Sequence, residues 1–196
     1  MAGENNKTMS AAGVAALVDG LSASSRRHRQ EVSQDIAAVA AKDPSLLAGH
    51  IAALVDALDR PEAQTRWEVL DALSTMTDAY ADQVSAAFDG AEASLFDDAS
   101  ATVRLAAFLF LCRLGATSPA RSDEVWPLLD EAIQCYHGDA EYRDMLEGLL
   151  AFAGGDISKK TAKELVSRVK FDAESGNGYI KQFSGDILAV AKGKVK

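Results

Sequence analysis

Apolar residues recur with the period of an α-helix along almost the entire chain, and this pattern limits the possible folds more than any other. The stripe that begins at Leu47, for example, continues through Ile51, Leu54, Val55 and Leu58. Runs that alternate polar and apolar residues, the pattern of a half-buried strand, are absent from the sequence. With only 4 prolines among 196 residues, few helices are interrupted. The sequence therefore predicts an all-α chain of about ten helices of ordinary length.

The predicted helices also repeat in pairs. Comparison of the sequence with itself gives offsets of 37, 36 and 39 residues, which match Arg29–Val32 with Arg66–Val69, Trp67–Glu68 with Val103–Arg104, and Val103–Arg104 with Tyr142–Arg143. Such a period is typical of helical solenoids, in which each pair of helices buries its apolar stripe against the next pair. A non-repetitive helical domain with coincidental spacing is the alternative.

One copy of this repeat resembles a known family. Residues 98–107, Asp-Ala-Ser-Ala-Thr-Val-Arg-Leu-Ala-Ala, look like the first helix of a HEAT repeat, in which an aspartate precedes Val-Arg, a small residue and a leucine-rich run. The other copies depart from this pattern at one or more positions. The resemblance implies a right-handed α-α superhelix of antiparallel helix pairs, of the armadillo-type α-solenoid superfamily. It also implies that the second helices line a concave face.

The resemblance sets the expected domain organisation. We predict a single HEAT-like domain over residues 11–192, preceded by a flexible N-terminus, 1–10, and followed by a basic tail, 193–196. Within the domain the four helix pairs fall at about residues 24–58, 59–97, 98–137 and 139–171.

Local signals predict some helix ends and one core position. Gly115 follows an apolar stripe and is typical of a helix C-terminal cap. We expect the helix that contains Pro127 to begin near Asp123, with the aspartate as its cap and the proline in its first turn. Trp67 lies in an apolar stripe, which predicts a core residue.

Charge is distributed unevenly along the chain. The net charge is −9, but residues 43–147 alone hold 20 acidic and 6 basic residues, and no lysine occurs between Lys42 and Lys159. Nucleic-acid affinity rests on lysine and arginine neutralising phosphates, so we predict no binding to duplex DNA at physiological salt. An acidic surface that only keeps the protein in solution is the alternative interpretation.

Motifs for catalysis or for metal and cofactor binding are absent from the sequence. His28, His50 and His137 are scattered, and neither a Gly-x-Ser-x-Gly elbow nor a phosphate-binding loop is present. Cys135 and His137 together would supply only two metal ligands. Cys112 lies in an apolar run and is expected to be a small buried hydrophobe. We therefore predict no catalytic residue, no cofactor and no metal site.

The sequence also indicates a location for the protein. No apolar run approaches the ~18–20 residues of a membrane span, and Met1–Ser10 lacks the pattern of a signal peptide. Two cysteines without a secretory signal favour reduced thiols and a cytoplasmic protein without membrane contact.

These observations favour a non-catalytic scaffold or adaptor that binds a charged protein or peptide on the concave face of the stack. The alternative is an enzyme built on helical repeats, either a lyase of the kind that attaches chromophores or, with less support, a protein like the helical-repeat DNA glycosylases. The glycosylase alternative requires a basic groove, which the acidic middle of the chain does not provide.

The candidate binding residues are those of the second helices that lie off the apolar stripes. They are Asp82, Asp89 and Glu92 in one pair, Asp130, Gln134 and His137 in the next, and Lys160, Lys163 and Lys170 in the last. Such a surface is acidic along most of its length and basic at its C-terminal end. It suits a partner of the reverse polarity, because complementary charges set register and association rate. Solvated residues without a role are the alternative.

Overall fold

Over residues 10–195, which the computed structural model describes, the chain forms helices and no strand. The α-helices are α1 (Ala11–Asp19), α2 (Arg26–Lys42), α3 (Ile51–Asp56), α4 (Ala63–Val84), α5 (Phe88–Leu95), α6 (Ala101–Gly115), α7 (Pro119–Cys135), α8 (Tyr142–Gly154), α9 (Lys159–Ser175) and α10 (Gly178–Val195). Segments of 3₁₀ helix lie at Gly20–Ser22, Pro44–His50, Ala57–Asp59 and Ser85–Ala87. The all-α prediction is confirmed.

The helices lie in two layers. Helices α2, α4, α6, α8 and α10, called here the first helices, stack side by side, each packing against the next. Helices α3, α5, α7 and α9, the second helices, form the other layer; α3 and α5 are short and flanked by 3₁₀ turns. Helix α1 covers α2 at the N-terminal end. One continuous apolar core fills the space between the layers.

The first helices share one register in the core. At the same position of each lies a large aliphatic side chain with no exposed surface, namely Ile36, Leu73, Leu111, Leu149 and Ile187. These residues are 37, 38, 38 and 38 positions apart, so the offsets of 36 and 39 from sequence comparison are wrong. The alignment of the sequence with itself matched similar residue types near the starts of the helices. In the structure, the one aliphatic residue that each first helix buries in the core sets the register.

Three arginines at one common register join successive pairs. Each lies seven residues before the core aliphatic residue of its helix and contacts a carboxylate in the segment before the next first helix; the pairs are Arg29 with Glu62, Arg66 with Asp97, and Arg104 with Glu141. All six side chains are at most 16% exposed. The hydrogen bond from Arg29 lowers the pKa of Glu62. Loss of either partner of a buried ion pair would leave an uncompensated charge. These contacts therefore fix each pair of helices against the next pair of helices.

Helix α8 departs from this pattern. Tyr142 occupies the arginine register, is 3% exposed, and places its ring 4.8 Å from the ring of His137. Burial raises the pKa of the Tyr142 hydroxyl above its ordinary value. His137 Nε2 in turn lies 3.1 Å from Asp172 Oδ2 on α9. An aromatic contact thus takes the place of the ion pair in the last full pair of helices.

Helix α7 begins earlier than the sequence predicted. The hydroxyl of Ser118 accepts a backbone N–H of the first turn, and Pro119 is the first residue of the helix. Pro127 therefore lies in the helix interior and not in the first turn. Asp123 does not cap α7, because its Oδ1 accepts a hydrogen bond of 2.5 Å from Ser158 Oγ at the start of α9. The Ser-Pro dipeptide is the better start signal, since serine caps well and proline suits the first helical position.

Other local predictions also need correction. Trp67 packs against the core but is only half-buried. Gly115 is the buried last residue of α6 and not a cap beyond it. Residues 193–195 belong to α10 and do not form a tail. The predicted flexible N-terminus lies, up to residue 9, outside the described residues, as does Lys196.

Candidate functional site

A cleft crosses the exposed side of three first helices, α4, α6 and α8. Its volume is about 570 Å³, within the ~300–1,000 Å³ that is usual for ligand sites. The lining residues are Ser74, Asp78, Leu109, Cys112, Arg113, Ala116, Thr117, Gly148, Ala151 and Phe152. Because the three helices belong to successive pairs, the cleft is a property of the stack and not of any single pair. The prediction had placed the binding surface on the second helices instead.

Small residues shape the cleft between α6 and α8. A Cβ at Gly148 would lie 2.5 Å from Leu109 Cδ2, so the glycine lets the two helices approach. Ala151 follows about one turn later and is exposed. Leu109, Cys112 and Phe152 supply an apolar floor. Cys112 is 3% exposed, and burial raises the pKa of its thiol, which confirms it as a small buried hydrophobe.

One ion pair lies at the edge of the cleft. Arg113 Nη2 on α6 is 3.4 Å from Asp78 Oδ2 on α4, and the two side chains are 46% and 75% exposed. At this length and exposure the pair adds little to stability. Both side chains are therefore available to a bound molecule.

Asp71 lies on the same side of α4 as the cleft. It precedes Ser74 of the cleft lining by three residues, so the two share a helix face. Desolvation, together with the negative charge of Glu68, raises the pKa of Asp71 to about 6. Its side chain is nevertheless exposed to solvent. Asp71 and Glu68 together place negative charge beside the cleft.

The predicted acidic residues of the second pair do not line this cleft. Asp82 follows a kink of α4 at Tyr80, in the short segment that leads to the second helix α5, and it pairs with Arg121 of α7. Asp89 and Glu92 lie on α5 and are exposed.

The structure does bring together the three predicted residues of the third pair. Asp130 and His137 face a groove between α7 and α9, where Asp130 accepts two hydrogen bonds from Arg168, of 2.5 and 2.7 Å. The Gln134 side chain donates to the Asp130 carbonyl oxygen at 2.9 Å. Phe171, 72% exposed, lies at the edge of this groove. The charges here are mostly paired with one another, unlike those beside the cleft.

The predicted basic residues all lie on α9. Lys160, Lys163 and Lys170 are exposed. Lys170 Nζ lies 3.9 Å from Glu174 Oε1, an exposed pair that contributes little. Whether these lysines contact a partner stays a prediction.

Between residues 10 and 195, no group of three or more His, Cys, Asp or Glu side chains is placed to hold a metal ion. Within the same range, His137 forms its hydrogen bond with Asp172 and none with a serine, threonine or cysteine. No helix of the described chain is long and apolar enough to cross a membrane.

Sequence reasoning missed the cleft because it looked for polar residues on the second helices. The signal that could have revealed it is the set of small residues on successive first helices, Ala116, Gly148 and Ala151. At Gly148 the small residue lets α6 and α8 approach, and at Ala151 it leaves the surface beside them open.

Comparisons with known proteins give a structural likeness alone. No family model and no curated protein matches the sequence. A designed armadillo repeat protein in complex with the peptide (KR)4 superposes with a TM-score of 0.75 at 16% identity, over 92% of this chain and 82% of that one.

Two further solved structures agree. A second designed armadillo repeat protein gives a TM-score of 0.72 at 14% identity, covering 90% of this chain and 81% of its own. An engineered protein gives 0.70 at 16% identity, covering 95% of this chain and 86% of its own. At such identities the likeness concerns the fold. The chain has the fold of an armadillo-type helical-repeat solenoid.

Proposed function

We propose that the protein is a non-catalytic scaffold that binds an extended segment of a partner protein across its first helices. The observation that carries this proposal is the cleft over α4, α6 and α8, which is lined by residues from three successive pairs. A surface shared by several repeats suits a ligand that runs along the stack.

The dimensions of the stack set the size of the bound segment. Packed helices lie about 8–10 Å apart, so five first helices span roughly 30–40 Å. An extended chain advances about 3.3 Å per residue, which gives a segment of about ten residues. A designed armadillo protein whose fold matches over 92% of this chain is in complex with the peptide (KR)4, which supports peptide binding by a stack of this kind.

The groove between α7 and α9 is the competing surface. Asp130 lines one part of it, and Gln134 and His137 line the adjoining part, with Arg168 common to both. The lysines of α9 lie in the same helix layer. Asp89 and Glu92 would extend it toward the N-terminal pairs. A partner of reverse polarity would suit this surface, although its Asp130 is already neutralised by Arg168.

A reducing compartment such as the cytoplasm fits the free thiols. Cys135 is exposed and unpaired with Cys112, which is buried. In such a compartment, glutathione keeps an exposed cysteine in the reduced thiol form.

A photo-crosslinking experiment separates the two surfaces. A benzophenone amino acid replaces Glu147, on the exposed side of α8 beside the cleft, or Glu131, an exposed glutamate of α7. Both variants are irradiated in cells of the source organism, and crosslinked proteins are identified by mass spectrometry. The proposal expects a discrete partner from position 147 and none from position 131. A partner from position 131 alone would place binding on the second helices.

A further inference from the structure

We infer that the cleft between α6 and α8 binds an apolar side chain of the partner segment, with a neighbouring lysine or arginine of that segment at Asp71. This inference rests on the proposed function and specifies the chemistry of the segment. It concerns a partner whose sequence combines an apolar residue with a basic one.

The shape of the cleft supports an apolar side chain. Its floor is Leu109, Cys112 and Phe152, and the last two are almost completely buried. Its volume of about 570 Å³ is far larger than the space that one water molecule occupies, and it accommodates a large aliphatic or aromatic side chain. Ala151 leaves the side of the cleft open, and a longer side chain at position 151 would occupy it.

The charges around the cleft support a basic neighbour. Carboxylates outnumber cations around the cleft. The charged residues there are Glu68, Asp71, Asp78, Asp82, Asp144 and Glu147 against Arg113, Arg143 and Arg121, the last of which pairs with Asp82 and donates to Thr117 of the lining. The cation nearest the cleft, Arg113, is already shared with Asp78. Asp71 has Glu68 as its charged neighbour, which is a repulsive one. A cation from a partner would relieve this repulsion, so charge complementarity selects a basic segment.

The test begins with a random library of 12-residue peptides, selected on the full-length protein. The expected enriched peptides share a leucine, isoleucine, methionine or phenylalanine close to a lysine or arginine. One enriched peptide is then synthesised with a fluorophore and titrated against the wild-type protein and the variants below.

Two alanines at equivalent positions provide a matched pair of variants. Ala151 of α8 and Ala38 of α2 occupy the same register of the first helices, and both are exposed, but only Ala151 lines the cleft. Ala151→Leu should weaken peptide binding at least tenfold, because its side chain fills the space of the apolar residue. Ala38→Leu should leave the affinity unchanged. Far-UV circular dichroism and thermal unfolding check that both variants fold.

A second variant tests the basic residue. Asp71→Asn should weaken binding several-fold at low salt and less at high salt, because it removes one screened charge interaction. A peptide whose lysine or arginine is replaced by glutamine should be insensitive to Asp71→Asn.

Several results would overturn the inference. Enriched peptides that are acidic, or that bind the Ala151→Leu variant as tightly as the wild-type protein, would show that the cleft does not recognise an apolar side chain next to a basic one. A library without enriched peptides would also overturn it. In each case, a partner crosslinked at position 147 would still support the proposed function, whereas absence of crosslinking at this position would contradict the proposed function as well.

Discussion

At the scale of single residues, Arg104 combines an ion pair, a backbone hydrogen bond and a contact with an aromatic ring at one junction of the stack. Its Nη2 lies 2.5 Å from Glu141 Oε1, its Nη1 donates to the Asp97 carbonyl oxygen at 2.9 Å, and its guanidinium lies 4.8 Å from the centre of the Tyr136 ring. These contacts tie α6 to the segments on both sides of it.

We expect Arg104→Ala to lower the free energy of unfolding by about 3 kcal/mol, because Glu141, only 6% exposed, would keep a charge without a partner. Arg113→Ala is the matched control on the same helix, since its ion pair with Asp78 is exposed, and it should cost less than about 1 kcal/mol. Urea unfolding of the two variants measures the difference. Equal losses would mean that the Arg104 pair does not fix the junction.

Asp71 predicts a dependence of stability on pH. Its pKa is raised to about 6 in the folded protein, so the folded state holds the proton more tightly than the unfolded state does. Stability from this residue is therefore greatest at low pH and declines as the pH rises from about 4 through about 6.

Asp71→Asn should consequently stabilise the protein above pH 6, by less than about 1 kcal/mol because the side chain is exposed and screened. Below pH 4 the variant and the wild type should unfold alike. Thermal unfolding across this pH range provides the measurement, and a stabilisation that is independent of pH would contradict the assignment.

At the scale of helices, glycines in two first helices have opposite expected effects. A Cβ at Gly115 would lie 2.3 Å from Val125 Cγ2 and 2.8 Å from Phe152, whereas a Cβ at Gly185 of α10 meets nothing within 4 Å. Gly115 therefore allows α6, α7 and α8 to approach one another closely.

We expect Gly115→Ala to lower stability by about 1–3 kcal/mol through overpacking, despite the better helix propensity of alanine. Gly185→Ala should raise stability by about 0.5–1 kcal/mol, the gain that follows from propensity alone. Differential scanning calorimetry compares the two. A destabilised Gly185→Ala would show that α10 is more closely packed than the structure indicates.

The sequence predicted the existence of most helices well and their ends less well. Apolar periodicity is strong in α8, whereas α6 is apolar on nearly every side, and both were correctly predicted to be helices. Pro127 misplaced the start of α7, because a proline in a helix interior is uncommon and first turns accept it more readily. Trp67 followed the apolar stripe but lies at the border of the core, and position in a stripe does not determine depth.

At the scale of the whole molecule, charge limits the partners. Residues 43–147 carry 20 acidic and 6 basic residues, and the cleft lies within or beside this segment. A gel-shift experiment at about 0.15 M salt should show no complex with duplex DNA at micromolar protein, because few cations are available to replace the counterions of the phosphates. A complex under these conditions would reopen the possibility of a nucleic-acid enzyme on this fold.

The candidate site was harder to predict than the fold. Repeats and periodicity are properties of the sequence, but the cleft depends on how α6 and α8 approach one another through Gly148 and Leu109. The predicted residues Asp130, Gln134 and His137 do come together, since they lie along one face of α7 and just beyond its end. Asp82 does not join them, because it lies after the kink of α4 at Tyr80 and pairs with Arg121 near the start of α7.

The common register of the arginines makes the stack extensible by insertion. A copy of residues 66–103, placed directly after residue 103, would carry its own Arg66 and its own Asp97, so the new junction would contain both members of its ion pair. Arg104 would still find Glu141 in the unit that follows it. Units of 38 residues therefore have compatible ends, and the length of the binding surface could change in whole steps while every existing junction is retained.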